Sequence, residues 1–143
     1  MNDLRLKGKF ALVTGAGRGI GKATAELLAE NGAEVVLTAR TASEIEEVAG
    51  HIGEGNGKAL PIAGDITDES FVTDLFSQIQ DRYGRLDILI NNAGKAPFGK
   101  VEETPVEIFR SCLELNVVAV FHCTQQAVNL MRANGDEGKI INI

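Results

Sequence analysis

The chain has 143 residues, of which 44% are hydrophobic and 24% are charged, and its formal net charge is −6. These values are typical of a single globular domain that can bury a core. The negative charge argues against nonspecific binding to nucleic acid or to anionic membranes. No apolar run approaches the roughly 20 residues of a membrane span, and the N-terminus lacks the apolar stretch of a signal peptide, so we expect a cytoplasmic protein.

Five short apolar segments alternate with four longer segments of helical pattern. The apolar segments cover residues 10–13, 34–38, 59–63, 86–91 and 139–143. They are continuously apolar, which is typical of parallel strands covered on both faces. The helical segments cover residues 19–31, 42–52, 68–83 and 105–133. This order predicts an α/β fold with a Rossmann-type doubly wound parallel sheet of about five strands.

Two helix ends carry local signals. Asn31-Gly32 predicts the end of the first helix, because glycine readily takes the left-handed conformation found there. Thr104-Pro105-Val106-Glu107 predicts the start of the last helix. In that interpretation Thr104 is the capping residue, Pro105 takes the first helical position and Glu107 completes a capping box.

The chain stops within a fifth predicted strand, at Lys139-Ile140-Ile141-Asn142-Ile143, with no helix after it. An uncovered apolar strand at the edge of a sheet promotes aggregation. We therefore expect residues 1–143 to be one domain that is incomplete at its C-terminus. A natural domain that ends on an edge strand is the alternative.

A glycine-rich loop joins the first strand to the first helix, with the sequence Thr14-Gly15-Ala16-Gly17-Arg18-Gly19-Ile20-Gly21. A helix N-terminus after glycines favours a phosphate group, because free N–H groups point at it and the backbone can approach closely. A Walker A loop is excluded, since Ala16 and Ala23 occupy two of its required positions. The G-x-G-x-x-G pattern also fails, at Ile20. A glycine-rich turn without a ligand is the alternative.

The end of the second strand bears on the choice of nucleotide. Sites for NAD usually place an acidic residue there, about 20 residues past the loop, to bind the ribose hydroxyls. Here Ala39 and Arg40 take that place. A guanidinium at this corner can bind a 2′-phosphate with two hydrogen bonds, and Arg18 can add a second positive charge. We expect NADP rather than NAD, with a solvated surface role for Arg40 as the alternative.

The two cysteines and two histidines predict no redox or metal chemistry. Cys112 and Cys123 are eleven residues apart on one predicted helix, too far to form a disulfide with each other, so we expect two buried thiols. His51 and His122 have no partners at ligand spacing, so we expect no metal site.

Four motifs resemble those of the short-chain dehydrogenase/reductase family. The first is the loop pattern T-G-x-x-x-G-x-G, in which Gly15, Gly19 and Gly21 take the key places. The second is Asp65-Ile66 after the third strand, which resembles the pair that contacts adenine in the family. A turn or cap residue is the alternative for Asp65.

The other two motifs follow the fourth strand. Asn91-Asn92-Ala93-Gly94 closes that strand and resembles the family signature that lines the cofactor crevice, where an Asn-rich turn is the alternative. Asn116, within Glu114-Leu115-Asn116-Val117, matches the catalytic asparagine of the family. A lone asparagine in a helix would otherwise be an ordinary polar position.

The resemblance begins near Lys9 and is nearest to the 3-oxoacyl-acyl-carrier-protein reductases and related alcohol dehydrogenases. It implies an NADP-dependent oxidoreductase that transfers hydride between nicotinamide and a small carbonyl or alcohol substrate. It implies Asn116 as a catalytic residue. Together with the two arginines argued above, it gives a set of cofactor-binding residues: Gly15, Gly17, Arg18, Gly19, Ile20, Gly21, Arg40, Asp65, Ile66, Asn92, Ala93 and Gly94.

Two further expectations follow from the family. Its members usually pair the fourth helix with a partner subunit, so we expect a homo-oligomer when the protein is full length. The apolar pattern Val117, Val118, Val120 and Phe121 fits burial either in a core or at such an interface.

The chain departs from the family in its proton-transfer residues. The family uses a serine shortly after the fifth strand and then Tyr-x-x-x-Lys, and a positioned proton donor contributes roughly 10²–10⁴-fold in rate. The single tyrosine here, Tyr83, is followed four residues later by Asp87, so we expect it to pack at a helix end. We expect this chain to carry the cofactor-binding half and to be inactive alone. A non-catalytic dinucleotide-binding or interaction module is the alternative.

Overall fold

The computed structural model describes residues 4–135 and 137–143. In these residues five parallel strands form one sheet in the order β3-β2-β1-β4-β5. The strands are β1 (Phe10–Thr14), β2 (Glu34–Ala39), β3 (Lys58–Ala63), β4 (Ile88–Asn91) and β5 (Lys139–Asn142). The helices are α1 (Gly19–Glu30), α2 (Ala42–Glu54), α3 (Glu69–Tyr83), α4 (Val106–Leu113) and α5 (Ala119–Ala133). The predicted doubly wound parallel sheet is confirmed.

The sheet separates two hydrophobic clusters, because successive side chains of a strand point to opposite faces. On one face Val13 and Leu37 pack with Ala25 of α1 and Ile45 of α2. On the other face Leu12, Val36 and Leu89 pack with side chains of α3 and α5, which include Leu75, Ile79, Cys123 and Ala127. Burial on both faces explains why the strands are continuously apolar in sequence.

The direction of winding reverses at the centre of the sheet. β1 pairs with β2 on one side and with β4 on the other, so the chain leaves β1 towards one edge and returns to the opposite side. The loops that follow β1 and β4 therefore leave the carboxyl ends of two neighbouring strands in opposite directions. Such a reversal opens a crevice at the carboxyl ends of the strands, where ligands bind in open α/β sheets.

The long fourth helix is interrupted, contrary to the prediction of a continuous helix over residues 105–133. A π-helical turn, Glu114–Val118, lies between α4 and α5. A π turn inserts a residue into the helical repeat and often occurs at functional sites. Asn116 lies at its centre. A short 3₁₀ turn, Val101–Glu103, precedes α4.

The two predicted helix ends have different outcomes. α1 ends as predicted, with Asn31 as the cap and Gly32 at φ +97°. The capping box at α4 is wrong: Pro105 is the cap residue and makes no side-chain capping bond. The Thr104 hydroxyl instead donates to Lys100 O at 2.8 Å, which removes it from the helix terminus.

Tyr83 and the two cysteines have the packing roles that were predicted. The Tyr83 ring lies 4.6 Å from the Phe10 ring, centroid to centroid. Cys112 and Cys123 are buried and free. Burial raises the pKa of the Cys123 thiol to about 11, so it is protonated and unreactive at neutral pH.

Candidate functional site

A cleft of about 560 Å³ lies at the carboxyl ends of the strands, above the reversal between β1 and β4. All the predicted cofactor-binding residues except Gly21 line it, and the predicted catalytic residue Asn116 does not. The loop after β1 forms one wall, and the segments after β2, β3 and β4, with α4 and its π turn, form the others. The structure thus gathers residues from five separate parts of the sequence around one space.

The glycine-rich loop has a backbone that other residues would rarely adopt. Gly15 and Gly19 have φ of +62° and +57°. A Cβ on Gly15 would lie 2.9 Å from Ala93 Cα, so the loop can approach the segment after β4 only without a side chain. α1 begins at Gly19, and no side chain caps its first turn. The free N–H groups of that turn and the positive end of the helix dipole therefore suit a phosphate, as a dinucleotide requires.

Gly21 has a packing role behind the wall of the cleft. It is buried, and a Cβ there would overlap Gly15 O and the Asn92 amide nitrogen. The glycine therefore allows α1 to lie directly against the loop and the end of β4. Close packing of helix on strand is the usual reason for the last glycine of such loops.

Thr14 joins the loops that follow β1 and β4. Its buried hydroxyl accepts hydrogen bonds from the backbone N–H groups of Asn92 at 3.1 Å and Ala93 at 3.0 Å. The Asn92 side-chain amide donates in return to Thr14 O at 3.0 Å and Gly15 O at 3.1 Å. These bonds hold the floor of the cleft. Sequence reasoning missed Thr14 as a site residue, although it opens the T-G-x-x-x-G-x-G pattern.

Asn116 contacts the segment that leaves the cleft. Its Oδ1 accepts from Lys95 N at 2.9 Å and its Nδ2 donates to Lys95 O at 2.6 Å. The carboxamide also lies close to Gly94, where a Cβ would be 3.1 Å from Oδ1. Asn116 thus holds the chain just beyond the Asn91–Gly94 motif, and the catalytic role predicted for it stays a prediction.

Asp65 is held in a turn after β3. One oxygen, Oδ1, accepts from Thr67 N at 2.9 Å and from Thr67 Oγ1 at 2.8 Å. These bonds, with a smaller contribution from the charge of Arg40, lower the pKa of Asp65 below its ordinary value. The carboxylate is therefore ionised at neutral pH on the wall that it shares with Ile66 and Thr67.

Arg18 and Arg40 line the same cleft and are exposed. Within the described part of the chain neither guanidinium lies within 4.0 Å of a carboxylate, so neither forms an ion pair. Exposed arginines without an ion pair can bind an anionic group with two parallel hydrogen bonds.

Other residues of the cleft were not anticipated from the sequence. They come from β2, from the start of α2 and the residue before it, from the segments after β3 and β4, and from α4 with its π turn: Thr38, Thr41, Glu44, Gly64, Thr67, Lys95, Ser111, Glu114 and Leu115. Ser111 donates its hydroxyl to Ile108 O at 2.8 Å, a local bond within the helix. The remaining residues reach the cleft through the fold, and no local pattern in the sequence marks them.

Residues 4–135 and 137–143 contain no group of three or more His, Cys, Asp or Glu side chains that could hold a metal ion. None of their helices combines the length and apolar character needed to cross a membrane.

Known proteins are similar to this chain in both sequence and fold. The chain matches a family model described as short chain dehydrogenase over residues 9–143. An uncharacterized oxidoreductase of Bacillus subtilis, YxbG, is 40% identical over 139 residues, which are 96% of this chain and 50% of the relative. The 3-oxoacyl-[acyl-carrier-protein] reductase FabG of Vibrio cholerae is 36% identical over 98% of this chain and 56% of its own length. The chain spans about half the length of these curated relatives.

Two solved structures are similar over nearly the whole chain. A metagenomic short-chain oxidoreductase in complex with NADP gives a TM-score of 0.91 at 33% identity, over 96% of this chain and 62% of that one. A 7α-hydroxysteroid dehydrogenase complexed with NADH and 7-oxo glycochenodeoxycholic acid gives 0.93 at 38% identity, over 99% and 55%. These likenesses agree with the fold described above.

Proposed function

We propose that the chain, which belongs to the short-chain dehydrogenase/reductase family, forms the cofactor-binding half of an NADP-dependent oxidoreductase. One observation carries the proposal. The uncapped N-terminus of α1, with Gly15 and Gly19 in left-handed conformations, opens onto the cleft that also contains Arg18 and Arg40. A pyrophosphate fits the helix terminus, and a further phosphate fits the arginines.

Each wall of the cleft has a part in binding. The N–H groups at the start of α1 bind the pyrophosphate, and Arg40 with Arg18 binds the 2′-phosphate. Asp65 and Ile66 contact the adenine, while the backbone of residues 92–94 lines the crevice towards the nicotinamide. Asn116 orients that backbone through Lys95. When bound, the nicotinamide supplies or accepts the hydride that passes to or from a carbonyl or alcohol carbon.

The preference for NADP over NAD rests on the residues at the end of β2. Similar structures contain NADP in one case and NADH in another, so the fold accommodates both. In this chain Ala39 and Arg40 occupy the position where an acidic residue would favour NAD. A charge-assisted pair between a guanidinium and a phosphate stabilises NADP there.

An exposed apolar face supports the proposal of a homo-oligomer. Val106, Phe109, Val117 and Phe121, on α4, the π turn and α5, are 54–67% exposed. Val118 is also exposed. Three of the four residues of this apolar pattern are exposed and Val120 is half-buried, so the exposure favours an interface over a core.

Titration calorimetry with NADPH and NADH tests the cofactor assignment. We expect both to bind the purified protein and NADPH to bind more tightly. Equal or tighter binding of NADH would contradict the NADP assignment, and no binding of either would contradict the dinucleotide site.

Activity requires a separate test. We expect the 143-residue chain to reduce no simple ketone with NADPH, and the reading frame that contains it to continue into a serine and Tyr-x-x-x-Lys. A frame that stops after Ile143 would instead favour the non-catalytic binding module.

A further inference from the structure

Glu44 brings a carboxylate to the arginine corner of the cleft. It lies in the first turn of α2, is half-buried and lines the same space as Arg18 and Arg40. A Cβ on Gly17 would lie 2.7 Å from Glu44 Oε2 and 2.9 Å from Glu44 Cβ. The carboxylate therefore rests directly against the glycine-rich loop.

The position of this carboxylate is not explained by helix capping. Thr41-Ala42-Ser43-Glu44 has the pattern of a capping box, in which the glutamate would accept from the backbone N–H of Thr41. Thr41 makes no side-chain capping bond. Across the described residues the Glu44 carboxylate accepts no hydrogen bond and lies within 4.0 Å of no cation. The carboxylate oxygens of Glu44 therefore lie against the glycine-rich loop and in the cleft, and are free to accept hydrogen bonds from a ligand.

The corner therefore combines Arg18 and Arg40 with the Glu44 carboxylate, and the charge of Arg40 also acts on Asp65. Arg18 and Arg40 favour a 2′-phosphate, whereas a carboxylate repels it and accepts hydrogen bonds from ribose hydroxyls. In the sequence, the end of β2 is the usual place for an acidic residue that binds the ribose, and none stands there. The structure instead places the carboxylate of Glu44, from the first turn of α2, in the cleft.

We propose that Glu44 is a specificity-determining residue of the dinucleotide site. Its carboxylate accepts a hydrogen bond from the adenosine ribose of NAD and opposes the 2′-phosphate of NADP, so the site takes both dinucleotides and the preference given by the arginines is moderate. This inference rests on the proposed function, because it concerns the same cleft.

Calorimetric titration of wild type and Glu44→Gln with NADPH and NADH tests the inference. The substitution keeps the shape of the side chain and removes its charge. We expect the ratio of the NADH to the NADPH dissociation constant to rise roughly tenfold, which corresponds to about 1.4 kcal/mol. Both dissociation constants contribute to this rise, because we expect Glu44→Gln to bind NADPH more tightly and NADH more weakly than the wild type does. Titration with 2′,5′-ADP and 5′-AMP should repeat the shift, because these probes occupy the adenosine end alone.

Glu47→Gln is the matched control. Glu47 is exposed on the same helix, is absent from the cleft and carries the same charge. Its substitution should leave the ratio unchanged. An equal rise with Glu47→Gln would show a general effect of net charge and overturn the inference, as would an unchanged ratio with Glu44→Gln.

Two further outcomes separate the inference from the proposed function. A wild type that binds neither dinucleotide would overturn the proposed function and the inference with it. A wild type that prefers NADPH, with the same ratio in Glu44→Gln, would overturn the inference alone. If Glu44→Gln does not fold, Glu44→Asp draws the charge back by one methylene. A smaller rise is then expected, and an unchanged ratio overturns the inference.

Discussion

The side chain of Asn116 is bonded at both ends to the backbone of a single residue, Lys95. The amide pairs with Lys95 N–H and C=O much as a neighbouring strand would. This pairing joins the π turn to the segment that follows β4, so the irregular part of the helix and the wall of the cleft hold each other in place. The π turn therefore lies where the helix makes this tertiary contact.

Asn116→Asp should loosen this contact. A carboxylate can accept from Lys95 N–H but cannot donate to Lys95 O, so one bond is replaced by repulsion. We expect a loss of about 1 kcal/mol in the free energy of unfolding, measured with urea, and weaker NADPH binding. Gln125→Glu is the control, because Gln125 is exposed on α5 outside the cleft. Equal effects of the two substitutions would contradict a specific role for the pairing.

Thr14→Val should destabilise the protein, whereas Thr38→Val should not. Both hydroxyls are buried at the carboxyl ends of paired strands. Thr14 Oγ1 accepts from two N–H groups, so its loss leaves those donors unsatisfied and should cost about 1–3 kcal/mol. Thr38 Oγ1 has no partner in the described structure, so its removal should be neutral or stabilising. Urea unfolding measures both, and equal losses would argue against the Thr14 network.

Gly21→Ala and Gly50→Ala form a second pair within helices. A Cβ on Gly21 would overlap Gly15 O and the Asn92 amide, so α1 must move away from the loop, and both stability and NADPH affinity should fall. A Cβ on Gly50 would meet nothing within 4 Å, and alanine there should stabilise α2 by about 0.5–1 kcal/mol. Thermal unfolding and calorimetry test the pair. Unchanged NADPH binding in Gly21→Ala would contradict its role in positioning the loop.

The sheet and the cleft could be anticipated from sequence because their determinants are local or periodic. Apolar runs bounded by turns defined the strands, and the glycine loop with Asn92–Gly94 defined two walls of the cleft. The π turn, the missing capping box at Thr104 and the placement of Glu44 could not be anticipated. Each depends on which contact one side chain makes: Asn116 bonds to Lys95, the Thr104 hydroxyl bonds to a backbone oxygen instead of capping α4, and Glu44 makes no bond to its own helix. The periodicity of the sequence does not predict such contacts.

We expect the protein to lose stability in acid because the Asp87 carboxyl becomes protonated there. Burial alone would raise the pKa of this carboxyl, but hydrogen bonds from Arg85 and Phe10 N–H, with the charges of Arg85 and Lys9, outweigh it and lower the pKa. Because the folded pKa lies below the unfolded value near 4, the stabilisation is present above pH 4 and is lost as the pH falls through the folded pKa. Asp87→Asn should therefore flatten the decrease in stability below about pH 4. Urea unfolding at pH 7, 4 and 3 measures it, and an unchanged slope would contradict this account.

Arg40→Asp replaces a positive charge by a negative one at the arginine corner of the cleft, where we propose that the 2′-phosphate binds. A 2′-phosphate would lose a charge-assisted partner and face a second carboxylate beside Glu44, so we expect NADPH binding to weaken by about 10- to 100-fold, the equivalent of 1.4–2.8 kcal/mol. NADH has no 2′-phosphate, so its affinity should hold or improve through a new hydrogen bond to the ribose. Arg5→Asp is the control, since Arg5 is exposed, lies outside the cleft and undergoes the same change of charge. Calorimetry at two salt concentrations completes the test, because the difference between the two dinucleotides should narrow as salt screens the corner. A preference for NADPH that survives Arg40→Asp would place the 2′-phosphate elsewhere and leave Arg40 a solvated surface residue.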